Sequence, residues 1–178
     1  MNSNFKDSSD LRVAIIGLGY VGLPLALAFA NCEHFKNEII GFDVNEIRIA
    51  ELNQGLDRNN EASKKDIYNT RDLRFTTNEK LLDVVDLFIV TVPTPIDSYK
   101  VPDLSKLKSA TGLVAKFLKP GNIVVYESTV YPGCTINDCV PILQNVSNLI
   151  LNDDFAVGYS PERINPGDTI NTIQSITK

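Results

Sequence analysis

The stretch "LRVAIIGLGYVGLPLALAFA", residues 11–30, decides the fold of this chain. It begins with an unbroken apolar and β-branched run, Leu11–Gly17, which is typical of a strand buried on both faces. Three glycines follow at G-x-G-x-x-G spacing, and the remainder indicates a helix that tolerates Pro24 in its first turn. Such glycines permit a tight turn, approach of the backbone to a pyrophosphate, and close packing of helix on strand. The stretch therefore predicts the opening of a dinucleotide-binding domain.

Five further strand-like runs alternate with helical segments along the rest of the chain. The predicted strands are Glu38–Asp43, Leu73–Thr77, Asp86–Val92, Asn122–Ser128 and Phe155–Tyr159. The predicted helices span 45–55 with Gly55 as a stop, 78–84, 103–118, and a segment after Thr135 that Pro141 breaks or kinks. Residues 57–71 give only weak, irregular or partly helical signals. This alternation predicts an α/β fold, a doubly wound, mostly parallel Rossmann sheet of six strands in the order 3-2-1-4-5-6.

Composition limits the classes of function. The 178 residues are 43% hydrophobic and 22% charged, and the net charge of -5 argues against nucleic acid as a partner. No apolar run is long enough to span a membrane, and the polar residues 1–10 lack the core of a signal peptide, so we expect a cytoplasmic protein. The single histidine, His34, and three cysteines without a CxxC pair predict no metal site. We interpret His34 as a solvated loop residue and the cysteines as small hydrophobic residues that are buried or semi-buried.

An acidic residue ends the second predicted strand. Asp43 lies about 20 residues beyond the last glycine, where a carboxylate that binds the cofactor ribose is expected. A 2′-phosphate beside it would meet like charge at a cost of up to about 4 kcal/mol at 4 Å, which favours NAD over NADP. Arg48, one turn into the next helix, could accept a 2′-phosphate. If both side chains face the ribose, however, the charge of Asp43 decides the preference in favour of NAD. The alternative role for Asp43 is ordinary helix capping.

Polar loops follow the last three predicted strands. "VPTP" (92–95) and "ESTVYPG" (127–133) lie at the carboxyl edge of the sheet, where ligands bind in doubly wound folds. Thr94, Ser128 and Thr129 can offer hydroxyl groups there, although such residues also serve turns and caps. In the loop "SPER", Glu162 could act as a general base through a water and Arg163 could hold a phosphate or sugar oxygen. A surface ion pair or a loop-bracing contact is the alternative.

Taken together, "GLGYVGLPLA", "FDVN", "VTVPTPID", "PDLS", "YESTVYPGCT" and "YSPERINPGD" resemble the UDP-glucose/GDP-mannose dehydrogenase family. The resemblance is greatest to the bacterial UDP-N-acetylhexosamine 6-dehydrogenases of surface polysaccharide synthesis, because "PER" replaces the "PEF" of glucose-specific relatives. It implies NAD-dependent oxidation of the sugar C6 alcohol to a uronate in two steps, through a cysteine thiohemiacetal and thioester. The resemblance covers Leu11 to about Asp168. Hydroxyacid or 6-phosphogluconate-type dehydrogenases and a non-catalytic NAD-binding module are the alternatives.

The resemblance also assigns residues to NAD and to a UDP-N-acetylhexosamine. The residues that it assigns to NAD are Gly17, Leu18, Gly19, Tyr20, Val21, Gly22, Asp43, Arg48, Val92, Thr94, Ser128, Thr129 and Val130. Glu162 matches the acid that assists thioester hydrolysis, and together with Arg163 and Ile164 it matches positions that contact the nucleotide sugar.

The family's nucleophilic cysteine is not matched in this chain. That cysteine lies downstream in the family, and Cys134 matches no such position. We therefore expect residues 1–10 to be a tail, 11–168 the NAD-binding domain, and 169–178 the start of a connection to a central helix and sugar domain. The chain alone is then expected to bind NAD without turnover, and the full-length enzyme to be a homodimer.

Overall fold

Six parallel strands form one sheet in the computed structural model, which describes residues 7–70, 72–96, 98 and 101–161. The strands are β1 (Val13–Ile16), β2 (Ile39–Phe42), β3 (Leu73–Thr76), β4 (Leu87–Val90), β5 (Ile123–Tyr126) and β6 (Ala156–Tyr159). Their order is β3-β2-β1-β4-β5-β6, and each neighbouring pair is parallel. The predicted sheet is confirmed. Because the direction of winding reverses between β1 and β4, a crevice opens at the carboxyl ends of these strands.

Helical segments connect the strands. The α-helices are α1 (Gly22–Ala30), α2 (Glu46–Asn53), α3 (Lys64–Asn69), α4 (Ser105–Phe117) and α5 (Val140–Ser147). Short 3-10 helices cover Ser8–Asp10 and Glu79–Val84, and a π-helical turn covers Thr135–Cys139. Pro141 lies in the first turn of α5, directly after the π turn, where proline is compatible with a helix. The predicted break at Pro141 is therefore the junction between these two helical segments.

Residues 57–71, which gave weak sequence signals, contain α3. A capping box begins this helix: the Ser63 hydroxyl accepts from the amide of Asp66, and the Asp66 carboxylate accepts from the amide of Ser63. The S-x-x-D spacing is a sequence signature of this motif, but the helix is too short to show an apolar periodicity. Gly55 follows α2 with a φ of 68°, as expected of a residue that ends a helix.

Both faces of the sheet are buried, and successive residues of β1 supply the two sides. Val13 and Ile15 pack into the cluster beneath α1 and α2, whereas Ala14 and Ile16 pack into the cluster beneath α4 and α5. All four of these side chains are almost fully buried. This accounts for the unbroken apolar run at the start of the chain, since a strand covered by helices on both faces needs no polar alternation.

The residues just before β1 contact the segment that follows α1. The backbone carbonyl of Ser9 accepts from the amide of Lys36 at 3.1 Å, and Asp10 forms an exposed ion pair with the Lys36 ammonium at 2.9 Å. The Ser8 hydroxyl lies 2.8 Å from Nε2 of the exposed His34. Residues 8–10 of the expected tail are thus attached to the domain. In the part of the chain that the structure describes, no helix is both long and apolar enough to cross a membrane.

Gly112 in the middle of α4 offers a test of the helix assignment. A Cβ placed there would meet only the Ile142 side chain, at an ordinary contact distance of 4.0 Å. We expect Gly112→Ala to stabilise the chain by about 0.5–1 kcal/mol, because alanine loses less backbone entropy on entering a helix. Urea denaturation measures the change. A loss of stability would contradict the packing of α4 on α5 described here.

Candidate dinucleotide-binding site

The glycine loop between β1 and α1 lies at the reversal point of the sheet. Gly17 adopts a φ of 98°, which favours glycine, and its amide donates to the carbonyl of Phe42 on β2 at 2.8 Å. A Cβ on Gly22 would lie 1.8 Å from the Gly17 carbonyl oxygen, so helix and turn touch at this point. A Cβ on Gly19 would meet no atom within 4 Å. Gly17 and Gly22 thus supply the tight turn and the close packing that the motif predicts, and the space beside Gly19 is open.

Amide groups at the start of α1 remain available to a ligand. Among the described residues, no hydrogen bond uses the amides of Gly19, Tyr20 or Val21. These groups and the helix dipole create a positive potential beside the open side of Gly19. A pyrophosphate fits this combination of free donors and open space.

Thr91 holds the glycine loop from the neighbouring strand, and sequence reasoning missed it. Its buried hydroxyl donates to the carbonyl of Gly17 at 2.7 Å and lies 3.2 Å from that of Ile16. These carbonyls belong to residues more than 70 positions earlier in the chain, so only the pairing of β1 with β4 creates the contact. In the sequence, the only signal for this role of Thr91 is its position directly before the loop "VPTP". Thr91 therefore fixes the turn against the edge of the sheet.

Asp43 occupies the position expected of the ribose-binding residue. Its Oδ2 accepts from the amide of Leu18 at 2.8 Å and its Oδ1 accepts from the amide of Asn45 at 2.9 Å. The Asn45 side chain in turn caps α2 by accepting from the amides of Ile47 and Arg48. The carboxylate is therefore fixed between the glycine loop and α2. A carboxylate oxygen has two lone pairs, so both oxygens can still accept hydrogen bonds from ribose hydroxyl groups.

Leu18 and Arg48 support the loop from inside the protein. The Leu18 side chain is fully buried, and its backbone carbonyl accepts from Nε of Arg48 at 2.9 Å. Nη1 of Arg48 pairs with Oδ1 of Asp57 at 2.6 Å, and the two side chains are 6% and 0% exposed. Arg48 thus supports the loop through the Leu18 carbonyl, and a buried ion pair with Asp57, which the sequence did not predict, holds Arg48 itself.

The loops after β4 and β5 are joined by two hydrogen bonds. The Ser128 hydroxyl donates to the carbonyl of Val92 at 2.8 Å, and the Thr94 hydroxyl donates to the carbonyl of Thr129. Both hydroxyl oxygens keep acceptor capacity, which suits the amide N–H groups of a nicotinamide. Val92 and Val130 pack against the core below. The predicted residues of these loops are therefore brought together.

A cleft of about 180 Å³ separates these loops from the start of α1. Residues of the glycine loop and of the loops after β4 and β5 line it. The lining residues are Tyr20, Val21, Thr91, Val92, Pro93, Thr94, Pro95, Glu127, Ser128 and Thr129. Glu127 and the prolines were not among the predicted site residues.

Polar contacts fix the loop after β5 to the helices behind it. Asp138 of the π turn accepts from the hydroxyl of Tyr131 and pairs with the Lys108 ammonium of α4 at 2.9 Å. The hydrogen bond to Asp138 raises the pKa of Tyr131 to about 12, while the contacts to Tyr131 and Lys108 lower the pKa of Asp138. Thr94 and Asp138 thus hold the loop after β5 from two sides.

The two buried cysteines, Cys134 and Cys139, show no sign of a reactive thiolate. Cys134 and Cys139 are fully buried, whereas Cys32 is exposed, unlike the small buried residue that we expected. Burial raises the pKa of Cys134 to about 11, and burial also raises the pKa of Cys139. Because the thiolate is the nucleophile, both thiols are inert near neutral pH. In the described residues, no group of three or more His, Cys, Asp and Glu side chains could hold a metal ion.

This difference in burial predicts selective alkylation of the native protein. Iodoacetamide at pH 8 is expected to modify Cys32 fully before Cys134 and Cys139 react, and all three should react in urea. Peptide mass spectrometry over time measures the order. Rapid native modification of Cys134 would contradict its burial.

Glu162, Arg163 and Ile164, the predicted catalytic and sugar-binding residues, lie outside the described residues. Pro161 is the last described position, two residues beyond β6. β6 pairs with β5 and therefore ends at the same edge of the sheet as the cleft. The roles of these three residues stay predictions.

The sheet order, the glycine loop and Asp43 define the class of this protein as a dinucleotide-binding domain. The sequence of residues 11–178 matches the NAD binding domain of the UDP-glucose/GDP-mannose dehydrogenase family. The chain belongs to this family, and its cofactor is NAD. The assignment is to nucleotide-sugar dehydrogenases rather than to the hydroxyacid or 6-phosphogluconate-type enzymes.

Individual relatives agree with the family. A UDP-N-acetyl-D-glucosamine 6-dehydrogenase of Pseudomonas aeruginosa is 53% identical over 169 residues, which are 95% of this chain and 39% of that protein. Protein CapL of Staphylococcus aureus is 51% identical over 94% of this chain and 38% of its own length. The crystal structure of an NDP-N-acetyl-D-galactosaminuronic acid dehydrogenase from Methanosarcina mazei Go1 superposes with a TM-score of 0.81 at 30% identity, over 89% of this chain and 36% of that one. The chain thus spans about two fifths of the length of these curated relatives.

Proposed function

We propose that the chain binds NAD across the crevice between β1 and β4, as the cofactor domain of a UDP-N-acetylhexosamine 6-dehydrogenase. The observation that carries the proposal is the meeting of three features at one sheet edge. These are the free amides at the start of α1, the fixed carboxylate of Asp43, and the joined loops that carry Thr94 and Ser128. They match the pyrophosphate, the adenosine ribose and the nicotinamide respectively.

The substrate is proposed to be a UDP-N-acetylhexosamine whose C6 alcohol is oxidised to the uronate. Bound NAD supplies the hydride acceptor. The 53% identity to a UDP-N-acetyl-D-glucosamine 6-dehydrogenase supports this substrate class. Glu162 is proposed as the acid–base residue, and Arg163 and Ile164 as contacts of the nucleotide sugar. The uronate product is proposed to serve capsule or O-antigen polysaccharides. The 51% identity to protein CapL supports this role. We place the reaction in the cytoplasm, in a homodimer of the full-length enzyme.

Calorimetric titration of the 178-residue chain with NAD tests the cofactor proposal. We expect one NAD per chain and, with UDP-N-acetylglucosamine or UDP-N-acetylgalactosamine added, no growth of the NADH absorbance. Absence of NAD binding by a folded chain would overturn the proposed site. Rapid NAD reduction would show instead that these residues suffice for the oxidation.

A further inference from the structure

We propose that Asp57 is a specificity-determining residue, because it neutralises Arg48 and leaves Asp43 as the uncompensated charge beside the adenosine ribose. In this way Asp57 helps the site to select NAD against NADP. The inference rests on the proposed position of the cofactor. It goes beyond that proposal because Asp57 lies in the segment after α2, outside the cofactor-binding motifs.

Arg48 lies close enough to the ribose position to influence a 2′-phosphate. Its Nε donates to the carbonyl of Leu18 at 2.9 Å. The backbone amide of Leu18 in turn donates to the Asp43 carboxylate at 2.8 Å. The guanidinium and the carboxylate proposed to bind the ribose therefore both hydrogen-bond to the backbone of Leu18. A free guanidinium at this place would attract a 2′-phosphate, since arginine matches phosphate in both charge and geometry.

Asp57 removes that attraction. Its Oδ1 lies 2.6 Å from Nη1 of Arg48, and neither side chain is exposed by more than 6%. Burial by itself would raise the pKa of Asp57, but the hydrogen bonds from Arg48 and from the amide of Asn59 outweigh it and lower the pKa. The carboxylate is therefore ionised at neutral pH. The buried pair carries no net charge.

The pair is also fixed in place, so a ligand cannot easily draw Arg48 away. Besides the amide of Asn59, the amides of Glu61 and Ala62 donate to the Asp57 carboxylate at 2.7 and 3.0 Å. Nη2 of Arg48 is buried and has no hydrogen-bond partner among the described residues. A neutral oxygen can satisfy this remaining donor without competing with Asp57, whereas a phosphate would compete for the whole guanidinium.

The Asp57→Asn variant tests the inference by calorimetric titration with NAD and with NADP. The Asn side chain keeps the shape of the carboxylate and one oxygen, which can still accept from the amides of Glu61 and Ala62, but it loses the acceptor for Asn59 and leaves the charge of Arg48 uncompensated. We expect the ratio of the NADP Kd to the NAD Kd to fall about tenfold at low salt. The ratio excludes general damage to the site, because both cofactors share every group except the 2′-phosphate.

Asp83→Asn is the matched control. Asp83 forms an exposed ion pair with the Lys119 ammonium at 2.9 Å, and its replacement makes the same chemical change and the same change in net charge. We expect its Kd ratio to equal that of the wild type. The double variant Arg48→Gln, Asp57→Asn should lose the gain in NADP affinity, because the released charge is then absent.

A measurement on the wild type covers the case in which Asp57→Asn does not fold. If Arg48 is neutralised, the 2′-phosphate meets mainly Asp43, and added salt should lower the Kd ratio by screening this repulsion. A ratio that rises with salt would show that Arg48 attracts the 2′-phosphate and would overturn the inference. An unchanged ratio in a folded Asp57→Asn variant would do so too. Failure of the wild type to bind NAD would instead reject the proposed cofactor site.

Discussion

The Asp43→Ala variant is expected to bind NAD more weakly by about 1–3 kcal/mol, which corresponds to a rise in Kd of roughly 5- to 150-fold. Two effects act together. The ribose hydroxyl groups lose a charged acceptor, and the amide of Leu18 loses the partner that it has at 2.8 Å. The second effect leaves the glycine loop less well fixed before the ligand arrives.

Calorimetric titration gives the affinity, and a urea denaturation curve shows how much of the loss comes from the fold. Asp66→Ala is the control, since Asp66 caps the neighbouring helix α3 and the structure gives it no contact with the glycine loop. That variant should lose stability but bind NAD normally. If Asp43→Ala were to keep wild-type affinity, the assignment of the ribose to Asp43 would be wrong.

The Gly22→Ala variant is expected to have the largest effect on the fold. Its Cβ would lie 1.8 Å from the Gly17 carbonyl oxygen and 2.5 Å from the Thr91 hydroxyl. Since the closer atom belongs to the backbone, α1 must move away from β1, and we expect a loss of at least about 3 kcal/mol in the free energy of unfolding. Each kcal/mol lowers the Tm of a chain of this size by about 2–4 °C. Calorimetric melting measures the change.

Gly19→Ala is the matched variant in the same loop. Its Cβ would meet no atom within 4 Å, so the Tm should stay within about 2 °C of the wild type. The added methyl group would, however, occupy the open side that the pyrophosphate is proposed to approach, and NAD binding should weaken. Equal losses of stability in the two variants would contradict the different roles assigned to Gly19 and Gly22.

The sequence predicts the sheet well because local patterns determine it. β1 is apolar throughout since helices cover both of its faces, and the glycine triplet has meaning only after a buried strand and before a helix. The position of Asp43 is predicted in the same way, because the length of one helix and one strand sets its distance from the last glycine. These features need no knowledge of remote contacts.

The supporting contacts of the site could not be predicted in this way. Thr91 acts on carbonyls more than 70 residues away, and Arg48 was assigned to the ribose without its ion pair to Asp57. Asp57 begins a segment whose composition indicated an irregular excursion. A carboxylate in such a segment is ordinarily solvated, and only the folded chain shows that this one is buried against Arg48.

The reversal of winding between β1 and β4 has a consequence for cooperativity. The crevice joins a half built from β1–β3 with a half built from β4–β6, and the direct bridge between the two halves in the sheet is the β1–β4 strand pair. A dinucleotide that spans the crevice acts as a non-covalent cross-link between these halves. Its binding energy then adds to the stability of the whole sheet by mass action, so that the cofactor partly determines how readily the two halves separate.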